Sequence, residues 1–215
     1  MIEAYIAGDI KELLKGIQEE VIGKFTVYLG GGLLRDGYCG KTPKDVDIVF
    51  IPHLGNEGIE VSYLPKKFYC NYNKRVSEMS NTSDMQARGV TQVVGLFNSR
   101  LSTPEVQFIV YEKHLTMEEL AADFDINICQ VVWSPLEDVF YATDAFIKGH
   151  KRKIIECLHD YDKVRTYDRY CRMEAKFSDY QVVGKPSSSV LPFEDLLSAS
   201  LGDYKPREST GSMVD

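Results

Sequence analysis

Two aspartates at alternating positions, Asp45 and Asp47, are the residues whose type and spacing point most directly to chemistry. They alternate with Val46 and Ile48, so in a strand both carboxylates leave the same face while the apolar side chains enter the core. Like charges roughly 7 Å apart raise each other's pKa, and a divalent cation relieves that repulsion. Oxygen ligands favour hard cations. The pair therefore predicts a site for Mg²⁺ or Mn²⁺ and for the phosphates that such ions carry.

A glycine triplet, Gly30 to Gly32, precedes the aspartates. Because glycine lacks a Cβ, its backbone N–H groups can approach phosphate oxygens closely. The next residues, Leu33 to Arg35, have the pattern of a first helical turn, whose positive end would face the same phosphates. The sequence thus predicts a strand, a phosphate-binding glycine loop, a short helix and a metal-binding strand, in that order.

Apolar and β-branched runs predict the strands that would position this site. An amphipathic helix over residues 9–21 is expected to cover one face of the sheet. Thr116 and Glu119 have the spacing of a capping box at the start of a short helix. The predicted strands cover residues 25–29, 46–51, 90–97, 105–111 and 139–142, and the helical patterns cover residues 117–122 and 143–157.

The glycine loop, the short helix and the Asp-x-Asp strand together resemble the nucleotidyltransferase superfamily of DNA polymerase beta type. Gly31-Gly32 and Arg35-Asp36, with thirteen residues between Gly31 and Asp45, are most similar to the head domain of bacterial poly(A) polymerases and class II CCA-adding tRNA nucleotidyltransferases. The resemblance implies an α/β (α+β) fold with a mixed sheet of about five strands, flanked by helices and followed by a short C-terminal helical extension.

A second stretch, residues 122–135, resembles the Arg-Asp-Phe-Thr-Ile-Asn motif of the same branch, in which the Asp and the Asn lie near the ribose and the metal. Asp123 and Asn127 match this motif. Ala122 stands where the family has Arg, so part of the family's triphosphate or sugar contact is not carried over. Asp125 stands where the family has Thr, and it adds a negative charge that could itself bind the metal.

A third stretch, Tyr161 to Arg165, is similar to the family's Glu-Asp-x-x-Arg, whose Asp and Arg offer a template for the edge of the incoming base. Asp162 and Arg165 are kept, while Tyr161 replaces Glu. Arg165, Arg169 and Arg172 follow at helical spacing and could line a phosphate track. The alternative is a solvated helix on which neighbouring acidic residues pair with these arginines.

The resemblance also implies roles for individual residues. Asp45 and Asp47 would be catalytic metal ligands, and Glu105 or Asp123 would supply the third catalytic carboxylate. Glu105 is the candidate for the third metal ligand from its strand position, and the alternative is an exposed glutamate at a strand end. The implied nucleotide-binding residues are Gly30, Gly31, Gly32, Arg35, Asp36, Asn127, Asp162, Arg165 and Arg169.

Composition predicts a globular protein of the reducing cytoplasm. The chain has 215 residues, 44% of them hydrophobic, and no apolar run that would span a membrane. We expect no secretory signal, because the first residues lack a basic and an apolar region. The five cysteines form no Cys-x-x-Cys pair, which argues against a disulfide framework and against zinc. A net charge of −7 argues against wide wrapping of nucleic acid, although it allows a local basic cleft.

These patterns together predict an enzyme that uses an NTP, with ATP favoured, and Mg²⁺ or Mn²⁺ to transfer NMP with release of pyrophosphate. By the resemblance, an RNA 3′ end is the first choice of acceptor. Small size and acidic charge favour a protein or a small molecule as the second choice. A third hypothesis is a non-catalytic module that binds a nucleotide or a partner. The predicted domains are a catalytic domain over 1–143, a helical neck-like extension over 144–180, and a linker with a disordered tail over 181–215.

Overall fold

A mixed sheet of seven strands forms the centre of the computed structural model, which describes residues 6, 8–59, 61, 64, 67, 74–79, 82–98 and 104–185. The strands are β1 (Phe25–Gly30), β2 (Val46–Pro52), β3 (Lys74–Met79), β4 (Val90–Asn98), β5 (Pro104–Tyr111), β6 (Val131–Ser134) and β7 (Val139–Ala142). Their spatial order is β3-β4-β5-β2-β1-β6-β7. The predicted mixed α/β architecture is confirmed, with more strands than predicted. Strands β3 and β6 escaped prediction because β3 is rich in charged residues and β6 is buried without alternation.

Strand β2 lies in the middle of the sheet and carries the aspartate pair. It pairs antiparallel with β1, where Asp47 lies opposite Gly30, and parallel with β5, where Asp47 lies opposite Gln107. Because side chains alternate along a strand, Ile48 packs in the core on one face while Val49 packs on the other. Asp47 shares the face of Val49, and we call this the second face of the sheet.

Helices cover both faces of the sheet. They are α1 (Gly8–Glu20), α2 (Gly32–Tyr38), α3 (Ser83–Ala87), α4 (Met117–Ala122), α5 (Asp144–Arg152) and α6 (Lys163–Lys176), with a one-turn 3₁₀ helix at Asn127–Cys129. The predicted capping box starts α4, where Glu119 N donates to Thr116 Oγ1 at 3.2 Å and Thr116 N donates to Glu119 Oε2 at 2.8 Å. Within the described ranges, every helix is too short or too polar to cross a membrane.

Helix α1 packs on the first face of the sheet through its apolar stripe. Leu14 and Ile17 are fully buried there, and burial of each side chain contributes roughly 1.5–3 kcal/mol. The buried Gln18 amide joins the helix to β1, because Nε2 donates to the Phe25 carbonyl at 3.0 Å and Oε1 accepts from Val27 N at 2.7 Å. Helix α1 therefore covers the face opposite the one that carries Asp47.

The region after β7 is less helical than the sequence predicts. Helix α5 ends at Arg152, because Lys153 adopts a left-handed conformation with φ 54°. Residues 154–156 then form strand β8, which pairs parallel with β9 (Gln181–Val183). The first residues of the predicted linker therefore form a strand.

Tyr170 of α6 joins this small sheet to the rest of the fold. Its hydroxyl accepts from Cys157 N at 2.6 Å and donates to the Val183 carbonyl at 2.8 Å. Strand β9 forms by pairing with β8, which lies earlier in the chain. The composition around residue 181 alone therefore does not indicate a strand. The division into domains stays a prediction, and residues 186–215 of the predicted tail lie outside the described ranges.

Candidate active site

A cavity of about 380 Å³ opens on the second face of the sheet, with walls from α2, β2, β5 and α6. It brings together eight residues that the sequence predicts for the site: Gly31, Gly32, Arg35, Asp36, Asp45, Asp47, Arg165 and Arg169. Asp125, the substituted position of the second motif, also lines it. Five predicted residues lie outside this lining: Gly30, Glu105, Asp123, Asn127 and Asp162.

The carboxylates of Asp45 and Asp47 face this cavity in an environment that disfavours negative charge. Burial, followed by repulsion from Asp45, raises the pKa of Asp47 to about 7, although Arg88 and Arg35 act in the opposite direction. Burial also raises the pKa of Asp45, against the attraction of nearby cations. Gln107 Nε2 donates weakly to Asp45 Oδ2 at 3.5 Å. Two half-buried carboxylates are thus held together with little direct neutralisation.

This pair fits a hard divalent cation. Both groups offer oxygen ligands on one wall of a solvent-accessible cavity, and a bound cation would offset the burial and the nearby negative charge that raise their pKa values. Mg²⁺ often uses one or two carboxylates together with substrate phosphates. Within the described part of the chain, no group of three His, Cys, Asp or Glu side chains is close enough to share an ion. Glu105 lies on β5, two positions before Gln107, and its role as the third ligand stays a prediction.

Close packing explains two of the three glycines in the loop. A Cβ on Gly30 would lie 2.7 Å from the tip of the Phe124 ring. Gly31 has φ +66°, and a Cβ there would lie 3.2 Å from Asp47 Oδ2 and 3.3 Å from the Phe124 ring. At Gly32 the nearest atom to a Cβ would be Arg35 Nη2, at an ordinary distance of 3.5 Å. Gly30 and Gly31 therefore allow the aromatic ring to lie against the loop beside the aspartates.

Replacing Gly31 by alanine is expected to cost about 1–3 kcal/mol of unfolding free energy, because a left-handed residue would gain a Cβ beside Asp47 and Phe124. Gly32→Ala is the matched control, since that position has ordinary contacts and no positive φ, and we expect a change within about 0.5 kcal/mol. Urea unfolding of the two variants checks this difference. Equal losses at both positions would contradict the packing argument.

Asp36 holds two cations at the edge of the cavity. Its Oδ1 accepts from Arg35 Nε at 2.8 Å, and its Oδ2 accepts from Lys176 Nζ at 2.5 Å. Arg35 Nη1 also donates to Cys129 Sγ at 3.1 Å. The Asp36 side chain is almost fully buried. These bonds position Arg35 toward the cavity and attach the end of α6 to α2.

The middle of α6 is attached to the cavity wall by Arg169. This guanidinium forms ion pairs with Asp84 of α3 and with Asp125, both of them buried. Burial alone would raise the pKa of Asp84, but Arg169 brings it below its usual value. Asp162 caps α6, since its Oδ1 accepts from Arg165 N at 3.0 Å, and its Oδ2 accepts from Ser83. Arg169 and Asp162 therefore already have partners in the fold.

Asp123 lies behind the cavity and collects three hydrogen bonds. Arg88 Nε donates to its Oδ2 at 2.7 Å, the Tyr111 hydroxyl donates to the same oxygen at 2.8 Å, and the Tyr161 hydroxyl donates to Oδ1 at 3.1 Å. The predicted nucleotide residue Asn127 instead connects the 3₁₀ helix to β8, because Nδ2 donates to the Ile154 carbonyl at 3.0 Å. Both side chains therefore have structural partners.

Solved structures of tRNA-processing enzymes superpose on this chain. An apo form of one such enzyme gives a TM-score of 0.54 with 20% identity, covering 92% of this chain and 48% of that one. A CCA-adding enzyme with CTP gives 0.55 with 17% identity over 94% and 46%. The Thermotoga maritima CCA-adding enzyme complexed with tRNA gives 0.54 with 16% identity over 94% and 44%. The chain therefore has the fold of the head domain of these CCA-adding and tRNA-processing enzymes.

The shared fold accounts for only part of those larger enzymes. This chain spans about half the length of the solved structures that it matches. No family model and no curated protein matches the sequence. At 16–20% identity the likeness concerns the fold alone, so the activity has to be argued from the cavity itself.

The cavity also contains residues that the sequence analysis did not predict. Lys176 could have been found, because it extends the helical stripe of Arg165, Arg169 and Arg172 by one more turn. Arg88 and Asp84 belong to a polar segment without any motif. No local signal would have found these two, since only the tertiary fold brings α3 to the cavity.

Proposed function

We propose that this chain is a metal-dependent nucleotidyltransferase that moves NMP from an NTP to the 3′ hydroxyl of an RNA and releases pyrophosphate. The observation that carries the proposal is the placement of Asp45 and Asp47 in one cavity with Gly31, Gly32 and Arg35. Carboxylates for cations, glycine backbone for phosphates and a positioned guanidinium are the groups that phosphoryl transfer requires. Their setting in a nucleotidyltransferase fold supports the same chemistry.

In this proposal each group has a defined task. Asp45 and Asp47 would hold Mg²⁺, and the bound ion would supply charge neutralisation of the phosphates and activation of the attacking hydroxyl. Glu105 stays the predicted third ligand, although it forms no three-carboxylate cluster with Asp45 and Asp47 in this structure. Asp123 is occupied by Arg88 and the tyrosines. The hydroxyl oxygen forms a bond to the α-phosphorus, the bond to pyrophosphate breaks, and the hydroxyl proton is lost to solvent. Positioning and charge neutralisation supply the rate, so no protein nucleophile is needed.

Other residues of the cavity would recognise the nucleotide. Gly31 and Gly32 would approach the phosphates, and Arg35 would bind them from the position that Asp36 fixes. Arg165 lines the cavity near the start of α6 and is the proposed base-reading residue. Asp162 would act on Arg165 through the helix cap that it forms.

ATP as the donor and RNA as the acceptor are the favoured substrates. Solved structures with this fold include CCA-adding enzymes with ATP, with CTP and with tRNA. The basic side chains of α6 supply a local track for a polyanion. A net charge of −7 favours the second candidate, nucleotidylation of a protein or a small molecule.

Label transfer tests the proposal and identifies the acceptor. The chain is incubated with each α-labelled NTP, Mg²⁺ or Mn²⁺, cellular RNA and cellular protein. We expect label on RNA that disappears in the Asp45→Ala/Asp47→Ala variant and persists in Glu12→Ala/Glu19→Ala, a control with two exposed glutamates of α1. Label on protein would establish the second candidate. If the chain binds nucleotide but transfers no label, or only label that the aspartate substitutions do not abolish, it is a non-catalytic module.

A further inference from the structure

We infer that Arg88 is a phosphate-binding residue of this cavity and donates to a phosphate oxygen of the bound nucleotide. The inference deepens the proposed function and rests on it, because it names a nucleotide contact within the same site. No sequence motif described above includes this residue. Arg88 lies in the turn between α3 and β4, and its side chain lines the cavity.

Arg88 is buried although it carries a permanent charge. Only 9% of its side chain is exposed, and a buried guanidinium is costly unless its charge is compensated. Asp123 supplies part of that compensation through the Nε bond of 2.7 Å. Arg88 and Arg35 both line the same cavity. A ligand with negative charge would complete the neutralisation of these cations.

The orientation of the guanidinium is fixed from two directions. Arg88 Nη2 donates to the Tyr111 hydroxyl at 2.6 Å, and that hydroxyl donates to Asp123 Oδ2 at 2.8 Å. Tyr161 fixes the other carboxylate oxygen at 3.1 Å. Arg88 Nη1 donates no hydrogen bond to this network or to any other residue among those described. A guanidinium held in this way is preorganised to donate to one more acceptor, and phosphate oxygens match its planar geometry.

The Phe124 ring sets the distance between Arg88 and the glycine loop. The tip of the ring lies against Gly30 and Gly31, while Arg88 Cζ lies 5.1 Å from the ring centroid. A single aromatic side chain therefore separates the guanidinium from the backbone that would hold the phosphates. Arg88 and the glycine loop, separated by the Phe124 ring, could bind successive phosphates of one nucleotide. This spacing favours a nucleotide polyphosphate over a single small anion.

Nucleotide titration in the presence of Mg²⁺ tests this role. Calorimetry compares ATP, ADP, AMP and adenosine on the unsubstituted chain, on Arg88→Gln and on Arg152→Gln, a control with an exposed arginine outside this cavity. We expect Arg88→Gln to weaken ATP binding about 10- to 100-fold. The loss should shrink as phosphates are removed and vanish with adenosine, while Arg152→Gln binds every ligand normally.

A second variant keeps the test decisive if Arg88→Gln folds poorly. Tyr111→Phe removes one of the two bonds that orient the guanidinium, and it should weaken ATP binding by a smaller factor without affecting adenosine. An equal loss for adenosine and ATP, or no loss at all, would overturn the inference while leaving the proposed function in place. Failure of the unsubstituted chain to bind any nucleotide would overturn both. Normal phosphate-dependent binding without label transfer would overturn the proposed function alone.

Discussion

Replacing Asp47 by asparagine is expected to reduce nucleotidyl transfer by about three orders of magnitude. Asparagine keeps the size of the side chain but loses the charge that would bind the metal, while Gly31 and Arg35 remain in place. Initial rates of label transfer at saturating NTP and Mg²⁺ measure the effect. Glu112→Gln, which changes an exposed acidic residue outside the cavity, serves as the control. A rate within tenfold of the unsubstituted chain would contradict the role of Asp47.

The same substitution should stabilise the metal-free protein at high pH. The folded pKa of Asp47 is about 7, above the value of about 4 in an unfolded chain. The folded state therefore binds more protons between these values, so its stability is greatest at low pH and falls as the pH rises toward 7. The amide of the Asp47→Asn variant is uncharged at every pH, and we expect a gain of up to about 4 kcal/mol at pH 8 and almost none at pH 4. Urea unfolding in EDTA at both pH values checks the sign.

Removing the Arg169 guanidinium should produce the largest loss of stability among the charged positions of the site. The side chains of Asp84 and Asp125 are only 2% and 9% exposed. In Arg169→Gln these two carboxylates would lose the cation that they share. Breaking such a buried ion pair costs about 3–5 kcal/mol. We expect this decrease in the unfolding free energy from urea denaturation at pH 7.

A neighbouring arginine on the same helix gives a matched control. Arg172 pairs with Asp168 at 2.9 Å, but half of its side chain is exposed, and such surface pairs contribute about 1 kcal/mol or less. Arg172→Gln should therefore unfold at nearly the same urea concentration as the unsubstituted chain. Similar losses for both variants would show that the ion pairs of Arg169 contribute no more than surface contacts.

Local patterns predicted the first part of the site well. The strand boundaries around the glycine loop and the aspartates agree with β1 and β2 to within a residue, because apolar alternation and glycine are strong local signals. The short helix with its capping box is also confirmed, since Thr116 and Glu119 interact within one turn. The eight predicted site residues that share the cavity come from these motifs and from the arginines of α6.

Long-range contacts account for what the sequence could not predict. The segment before Val90 is polar and contains no motif. Ser83–Ala87 nevertheless forms α3, and Asp84 of this helix pairs with Arg169. Asp162 offers the residue type of a base-reading carboxylate, but it accepts from Arg165 N and from Ser83. The contacts Asp162–Ser83 and Arg169–Asp84 join residues more than seventy positions apart. A local sequence pattern cannot predict them.

The attachments of α6 also determine how strongly the chain can bind a polyanion. Of the four cations that α6 directs to the cavity, Arg169 and Lys176 pair with buried carboxylates. Arg165 and Arg172 remain accessible to an incoming strand, since the pair of Arg172 with Asp168 is half-exposed. Each phosphate neutralised on a single strand contributes about 0.7 to the dependence of log Kobs on log salt through counterion release. Helix α6 would thus contribute a slope of about 1.4 rather than about 2.8. The charges of α6 would therefore bind the proposed RNA acceptor only weakly.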